Sequence, residues 1–394
     1  MDIEIRPAEP ADYREIARLD GIAFGHGYTD EEFDDVFAVE PPEYVVATQG
    51  SRIVGVAGHY PFQMTVPGGS AVPVPGLTWV SVLPTHRRRG VLRAMIEYLL
   101  TGYHELGYPA AVLTASEGGI YGRFGFGPSA RSVKVSIDRS KVSLNRPVDS
   151  SAVEFLPAAD ARSQLMELHR RWRQLTPGAL SRTEAWWDHL IADRSARRSG
   201  KAEKFYLVHP DGYLVFRPAA QWQDGHSMGR CEVLDYCWLS PSAHAALWQV
   251  LLGMDLFTTI ESWELPMDDP LPFLLDDPRQ VRLVASHEGL WLRPVDVRAL
   301  LAARSYLVDI EAVLEVDGER VQLAGGPTGA SCTATERAPD VRIGRAALGS
   351  AYLGTHRMST LRQAGLVQVD DPVLAARLDL AFTADRAAKY GTAF

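Results

Sequence analysis

At 394 residues the chain is longer than one hydrophobic core usually organises, so two or three domains are expected. A content of 46% hydrophobic and 23% charged residues is that of an ordinary globular protein, and a formal net charge of -9 argues against a general nucleic-acid binder, whose footprint is a basic patch or stripe. Acidity suits a cationic partner, because acidic clefts concentrate cations, although the same charge also serves solubility.

Only three cysteines occur, Cys231, Cys237 and Cys332, and none is in C-x2-C spacing. Isolated buried thiols are expected rather than a disulfide framework or a zinc site, and no metal is expected elsewhere. The opening MDIEIRPAEP lacks the basic and apolar regions of a secretory signal, and no apolar run reaches the length of a membrane span. Cytoplasm is the expected location.

Residues 2–6 alternate as a short strand, and 11–21 read as a helix. Two β-branched runs, 44–47 and 53–60, flank Gln49-Gly50-Ser51-Arg52 as a hairpin. A Pro- and Gly-rich stretch leads into a strand over 77–83. A helix follows over 91–106, with Leu92, Met95, Ile96, Leu99 and Leu100 at helical spacing. Then come a strand over 110–114, a short helix or turn over 120–124 and a closing strand over 132–137, which together make a complete small α+β domain. A polar linker spans 140–151.

The second unit begins at Val153, with helices over 160–172 and around 183–191 and a hairpin about Asp211-Gly212. A strand over 231–239, a helix over 242–252 and a strand over 290–294 complete it. Its order echoes the first unit without the arginine-glycine turn described below, as a degenerate copy would. The third unit carries strands over 306–316 and 320–323 about Asp317-Gly318 and a strand or buried edge over 342–348. A helix over 373–382 has Pro372 at its first turn. The sequence given finishes on apolar and aromatic residues at Phe394, an end that packing can pin down.

The strongest chemical signal lies between the strand ending at Leu83 and the helix that starts near Gly90. Backbone N–H groups in such a turn lack partners, and their dipoles favour an anion. Gly90 permits close approach or an unusual φ. Arg87, Arg88, Arg89 and Arg93 would neutralise phosphate, and a cationic run at a helix start is unfavourable without an anion. The absence of G-x4-G-K-[ST] argues for a pyrophosphate rather than a nucleoside triphosphate.

Arg87-x-x-Gly90-x-Leu92 resembles the acetyl-CoA-binding turn of GCN5-related N-acetyltransferases. The blocks LPTHRRRGVLRAM (83–95) and LTASEGGIYGRFGFGPS (113–129) closely resemble the Eis, or enhanced intracellular survival, family, and the likeness extends over the whole chain. The resemblance implies a mixed α+β and α/β architecture in three domains. These are a catalytic acetyltransferase domain over 1–139, a degenerate one over 150–294 and a domain similar to sterol carrier protein over 296–394. It implies a homohexamer and acetyl-CoA as cosubstrate, with backbone of Val80 and Val82 along the pantetheine arm. Arg87, Arg88, Arg89, Gly90, Val91 and Leu92 would hold the pyrophosphate, and Ser116 would lie near the reaction centre. Tyr121 matches the family's general acid, and the carboxylate of Phe394 the group that accepts or relays the proton of the amine. Taken alone, Tyr121 reads more simply as an aromatic packed with Phe124 and Phe126.

Direct transfer needs no covalent intermediate, so the lack of a cysteine or serine triad is no obstacle. Three functions stay open: an N-acetyltransferase for aminoglycoside-like or polyamine amines, a protein lysine N-acetyltransferase, and a non-catalytic lipid-binding or scaffolding protein. Asp20, His26 and Glu31 flank an early loop where an amine could enter, or else line plain surface. His86 is either a phosphate contact or a solvated turn residue. His169 with Trp172, Trp186 and Trp187 reads as packing, and Asp268-Asp269 and Asp276-Asp277 read as loop acids.

Overall fold

The structure, a computed structural model, describes residues 3–38, 43–198 and 201–394. Residue 2 of the first predicted strand and the side chain of Glu31 lie outside them. The early hairpin forms as expected: Glu43–Gln49 pairs with Arg52–Thr65 around Gly50, whose φ of +60° suits a residue without a Cβ. Ala71–Val82 extends this sheet, and the helix Val91–Glu105 covers it by burying Val91, Met95, Ile96, Leu99 and Tyr103; of the stripe expected from the sequence, Met95, Ile96 and Leu99 are buried, while Leu92 and Leu100 are only partly so.

The sheet does not close on its own chain segment. Its seven strands run Glu4–Pro7, Glu43–Gln49, Arg52–Thr65, Ala71–Val82, Ala110–Leu113, Trp291–Pro294 and Gly127–Pro128. A strand from far along the sequence, Trp291–Pro294, is therefore inserted between two strands of the first unit. In exchange, Arg131–Asp138 leaves the first unit and lies in the second sheet between Val281–Glu288 and Phe257–Pro266. The expected closing strand over 132–137 exists, but it closes the other sheet. Its alternating pattern records one buried face and is silent about neighbours.

Outward from Phe257–Pro266, the second sheet continues through Gly229–Trp238, Gly212–Ala219, Phe205–His209 and Glu154–Leu156. The helices Ala158–Leu175 and Pro241–Leu252 pack on it, and Trp248 is fully enclosed. The third sheet has five strands, with the Asp317-Gly318 turn at φ of +49° and +90° joining Ile310–Val316 to Glu319–Gly326.

Two local expectations in the third unit change. The strand starts at Ile310 rather than Tyr306, which is buried with its hydroxyl donating to the Leu301 carbonyl oxygen at 2.9 Å. The edge expected over 342–348 splits into a strand Val341–Ile343 and a helix Arg345–Tyr352. That helix is buried along most of its length because it packs on the exchanged strand. A Cβ placed on Gly349 would stand 2.1 Å from the Leu292 carbonyl oxygen.

The exchange makes the first core depend on the second half of the chain. A fragment of residues 1–139 exposes the edge of Ala110–Leu113, and it is expected to show no cooperative thermal transition by circular dichroism. In the full chain, Leu292→Ala removes a fully buried side chain of the inserted strand. It is expected to cost about 2–5 kcal/mol in denaturant titrations.

Candidate active site

The site is built where two parallel strands part. Ala71–Val82 and Ala110–Leu113 pair only at Gly76↔Val112 and Leu77↔Leu113. Beyond Leu77 the edge of Thr78–Val82 that faces the gap has no strand beside it among the described residues. On the other edge a bulge sets Trp79 and Val80 against Ala57 alone, between the pairs Gly58↔Thr78 and Val56↔Ser81. Trp79 has φ +55°, a conformation that costs a non-glycine residue about 1–3 kcal/mol and that packing must hold. Tyr28, Phe37 and Tyr44 surround its ring at centroid distances of 6.0, 5.7 and 5.6 Å. The bulge turns the strand outward, and its free backbone groups can pair with an amide-bearing chain as a further strand would.

The arginine turn follows directly. Pro84–His86 forms one 3-10 turn, Arg88 has φ +61°, and Gly90 precedes the helix Val91–Glu105 at φ +83°. The left-handed backbone at Arg88 and Gly90 folds the turn tightly onto the helix start, whose first N–H groups have no intrahelical partner. Arg87, Arg88, Arg89 and Gly90 are exposed, and the Arg87 Nε donates to the Val82 carbonyl oxygen at 3.5 Å. Val91 is buried and Leu92 partly so, which leaves their backbone N–H groups as the contribution available at the helix start. An unpaired strand edge running into a helix N-terminus under a cationic rim fits a ligand made of an amide-bearing arm and a pyrophosphate.

His86 takes no part in that rim. It is buried, with Nδ1 2.9 Å from the Thr85 hydroxyl and Nε2 3.1 Å from Gln49 Oε1, and so ties the turn to the early hairpin.

Tyr121 ends a short helix, Gly118–Tyr121, after the exposed Ser116. Its ring packs edge-on to Phe126 at 6.2 Å within the first core. Burial, reinforced by Glu117, pushes its phenol pKa up to about 12. The structure brings Phe394 to the same gap. Thr114, the residue after the strand Ala110–Leu113, donates its hydroxyl to the Phe394 backbone oxygen at 3.2 Å. The Phe394 ring packs at a tilt 5.0 Å from Phe62, and a Cβ on Gly76 would lie 2.9 Å from it. Phe394 thus stands at the apex of the divergence rather than at the arginine turn.

Asp20 and His26 do come together, with His26 Nε2 3.5 Å from the carboxylate. Asp20 is buried and accepts from the Ser81 and Tyr28 hydroxyls, both at 3.1 Å, so it is anchored to the bulged strand. Burial raises its pKa, and those two hydrogen bonds oppose the rise. Neither the Ser81 link nor Thr114 has a motif that reveals it in the sequence. The remaining candidates are structural. His169 is enclosed between Trp172 and Trp187. Asp269 is buried, accepts from Tyr236 and His244 and caps Leu271, while Asp276 and Asp277 accept from Ser143 and from the Arg279 N–H. Cys231, Cys237 and Cys332 are all free thiols.

Residues 4–129 and 178–294 each match an acetyltransferase (GNAT) domain family, and residues 297–389 match a sterol carrier protein domain. The chain is 40% identical over 348 residues to N-acetyltransferase Eis of Mycobacterium tuberculosis, covering 86% of this chain and 85% of that one. An uncharacterized N-acetyltransferase of Streptomyces griseus is 34% identical over 408 residues, with 98% of each chain covered. Among solved structures, Eis1 from Mycobacterium abscessus superposes with a TM-score of 0.88 at 33% identity over the full length of both chains. A GCN5-related N-acetyltransferase from Anabaena variabilis shares the fold, with a TM-score of 0.86 at 20% identity. A bulged, splayed strand running into an arginine-rich helix start, with this identity over most of its length, shows that the chain belongs to the Eis family of N-acetyltransferases and is an acetyl-CoA-dependent acetyltransferase.

Proposed function

We propose that the chain transfers acetyl directly from acetyl-CoA to a primary amine of a small polycationic acceptor, of the aminoglycoside or polyamine kind. The observation that carries this reading is the seating of Phe394 at the point where Ala71–Val82 and Ala110–Leu113 part. A carboxylate there lies at the open end of the gap, where an ammonium would approach. The buried Asp20, with His26 beside it, places further negative charge along the bulged strand.

In this reading the Val80 and Val82 backbone holds the pantetheine arm, and Arg87, Arg88, Arg89, Gly90, Val91 and Leu92 hold the pyrophosphate. Ser116 lines the reaction centre. Acetyl-CoA, when bound, supplies an acetyl group activated as a thioester. The Phe394 carboxylate draws in the ammonium and passes its proton to water. With a reference pKa of about 3.5 it is too weak a base to hold that proton at neutrality. Backbone donors on the splayed strand stabilise charge developing on the reacting carbonyl oxygen, because they are already oriented and need no reorganisation. Tyr121 gives its proton to the leaving sulfur.

The second unit is read as degenerate. Its helix Pro241–Leu252 starts at Ser240, whose hydroxyl accepts from the Ala243 N–H at 3.3 Å and so occupies the helix start itself. A sterol-carrier-like third domain carrying Phe394, a homohexameric assembly and a cytoplasmic location belong to the same proposal. No helix among the described residues is long and apolar enough to cross a membrane.

A thiol-release assay over kanamycin-like amines, polyamines and lysine peptides is expected to give turnover with the first two classes. Turnover with peptides alone would replace this reading by protein lysine acetylation. Tyr121→Phe is expected to lower kcat by about 10²–10⁴, the range for a general acid, while acetyl-CoA affinity by calorimetry is unchanged. Because burial raises the Tyr121 pKa, its acid form persists through the ordinary phenol value of about 10 and is lost only as pH rises through its own pKa. An alkaline limb of kcat below that ordinary value that vanishes in Tyr121→Phe would contradict the raised pKa, and one that persists unchanged in Tyr121→Phe would belong to another group. Residues appended after Phe394 should depress kcat, and full activity with them would remove its carboxylate from the mechanism.

A further inference from the structure

The divergence that makes the active site occurs a second time. In the second sheet Gly229–Trp238 and Phe257–Pro266 run parallel and pair from Gly229↔Phe257 to Val233↔Ser262. There they part, each continuing along its outer neighbour as far as Gly212↔Trp238 and Pro266↔Ser132. The residues that reach into this second gap belong to the chain itself. Lys389 is buried, with Nζ donating to the Tyr236 carbonyl oxygen at 3.1 Å and standing 3.9 Å over the Tyr236 ring. Tyr390 donates to Glu264 on the other diverging strand at 3.3 Å.

Backbone partners come from the same unit. The Lys389 N–H donates to the Pro177 carbonyl oxygen at 3.0 Å, and the Leu180 N–H to the Tyr390 carbonyl oxygen at 3.0 Å. Arg182 holds the next two residues. Its buried guanidinium donates to the Gly391 carbonyl oxygen and, at 3.2 Å, to the Thr392 hydroxyl, and it is neutralised by Asp235 at 2.7 Å. Gly391 has φ +67° and lies so close to Trp172 that a Cβ would fall 2.7 Å from the ring. Residues 387–394 have no regular secondary structure, yet Ala388, Lys389, Tyr390 and Thr392 are buried, and Phe394 emerges at the first gap.

We propose that the second acetyltransferase-like unit is the receptor for residues 387–394, which lie in its strand divergence in the place a cofactor arm would take. Arg182 is the positioning residue that aims Phe394 into the active site. This assigns the second unit a task in the reaction, and it rests on the preceding reading only for the consequence at Phe394.

Removing Arg182 alone leaves Asp235 as an unpaired, largely buried charge and endangers folding, so the test uses Arg182→Gln together with Asp235→Asn in the full chain. The double variant is expected to melt cooperatively. Carboxypeptidase should release its terminal phenylalanine at least about tenfold faster than in the parent, since proteolysis follows the population of the undocked segment. Its kcat with an amine acceptor should fall about a hundredfold, the lower end for a displaced proton-transfer group, with acetyl-CoA affinity unchanged. Deleting residues 391–394 should give the same loss, and adding the double variant to that deletion should cause no further loss, because both act through one segment. Unchanged carboxypeptidase release, or losses that multiply in the deleted chain, would overturn the proposal. Faster release with unchanged kcat would leave the docking standing and refute instead the role given to the Phe394 carboxylate.

Discussion

A parallel strand pair that stops hydrogen-bonding part-way along leaves backbone N–H and C=O groups that must find partners elsewhere. This chain contains that arrangement twice, after Leu77 and Leu113 in the first sheet and after Val233 and Ser262 in the second. The two gaps are satisfied differently. The first is held open by the Trp79 bulge and leads to the helix start beside the arginines. Side chains and backbone of residues 389–392 enter the second. One segment therefore touches both gaps, and much of the architecture serves to hold it.

The strand exchange fixes the two sheets relative to each other. Because Arg131–Asp138 and Trp291–Pro294 cross in opposite directions, neither core is complete without the other's chain segment. Within the third unit, buried polar groups add to the apolar packing. Arg304 is fully enclosed and donates to the carbonyl oxygens of Tyr352, Ala381 and Phe382, with the Tyr306 and Phe382 rings 4.7 and 4.9 Å from its guanidinium carbon. A cation buried among carbonyl dipoles and aromatic faces is tolerated only where that geometry is rigid. Arg182 obeys the same rule with a carboxylate as partner. Two buried arginines thus hold backbone at the approach to residues 387–394 and within it.

Much of the site was legible because its parts are local. The Leu83–Leu92 turn, the apolar stripe of Val91–Glu105 and the hairpin turns at Gly50 and Asp317-Gly318 depend on residues a few positions apart. The positive φ of Gly90 follows from the same local logic, whereas that of Trp79 does not, since a bulge at a bulky aromatic survives only under the packing of Tyr28, Phe37 and Tyr44. His86 meets neither alternative, phosphate contact or solvated turn residue, because burial against Gln49 gives it a structural task. The helix Arg345–Tyr352 escaped notice because it is buried on nearly every side, which removes the periodic contrast that marks a surface helix.

The amino-acid sequence by itself determined the turn chemistry, the kinds of elements and the family, since these reside in short-range spacing and in blocks such as residues 83–95 and 113–129. Only the tertiary structure decided which sheet each strand joins, that Phe394 meets Thr114 across 280 positions, and that Arg182 clamps Gly391 and Thr392. Those pairings depend on where chain segments meet in space after their local structure has formed. Hydrophobic alternation shows that a strand has a buried face, but it carries no record of which strand lies beside it.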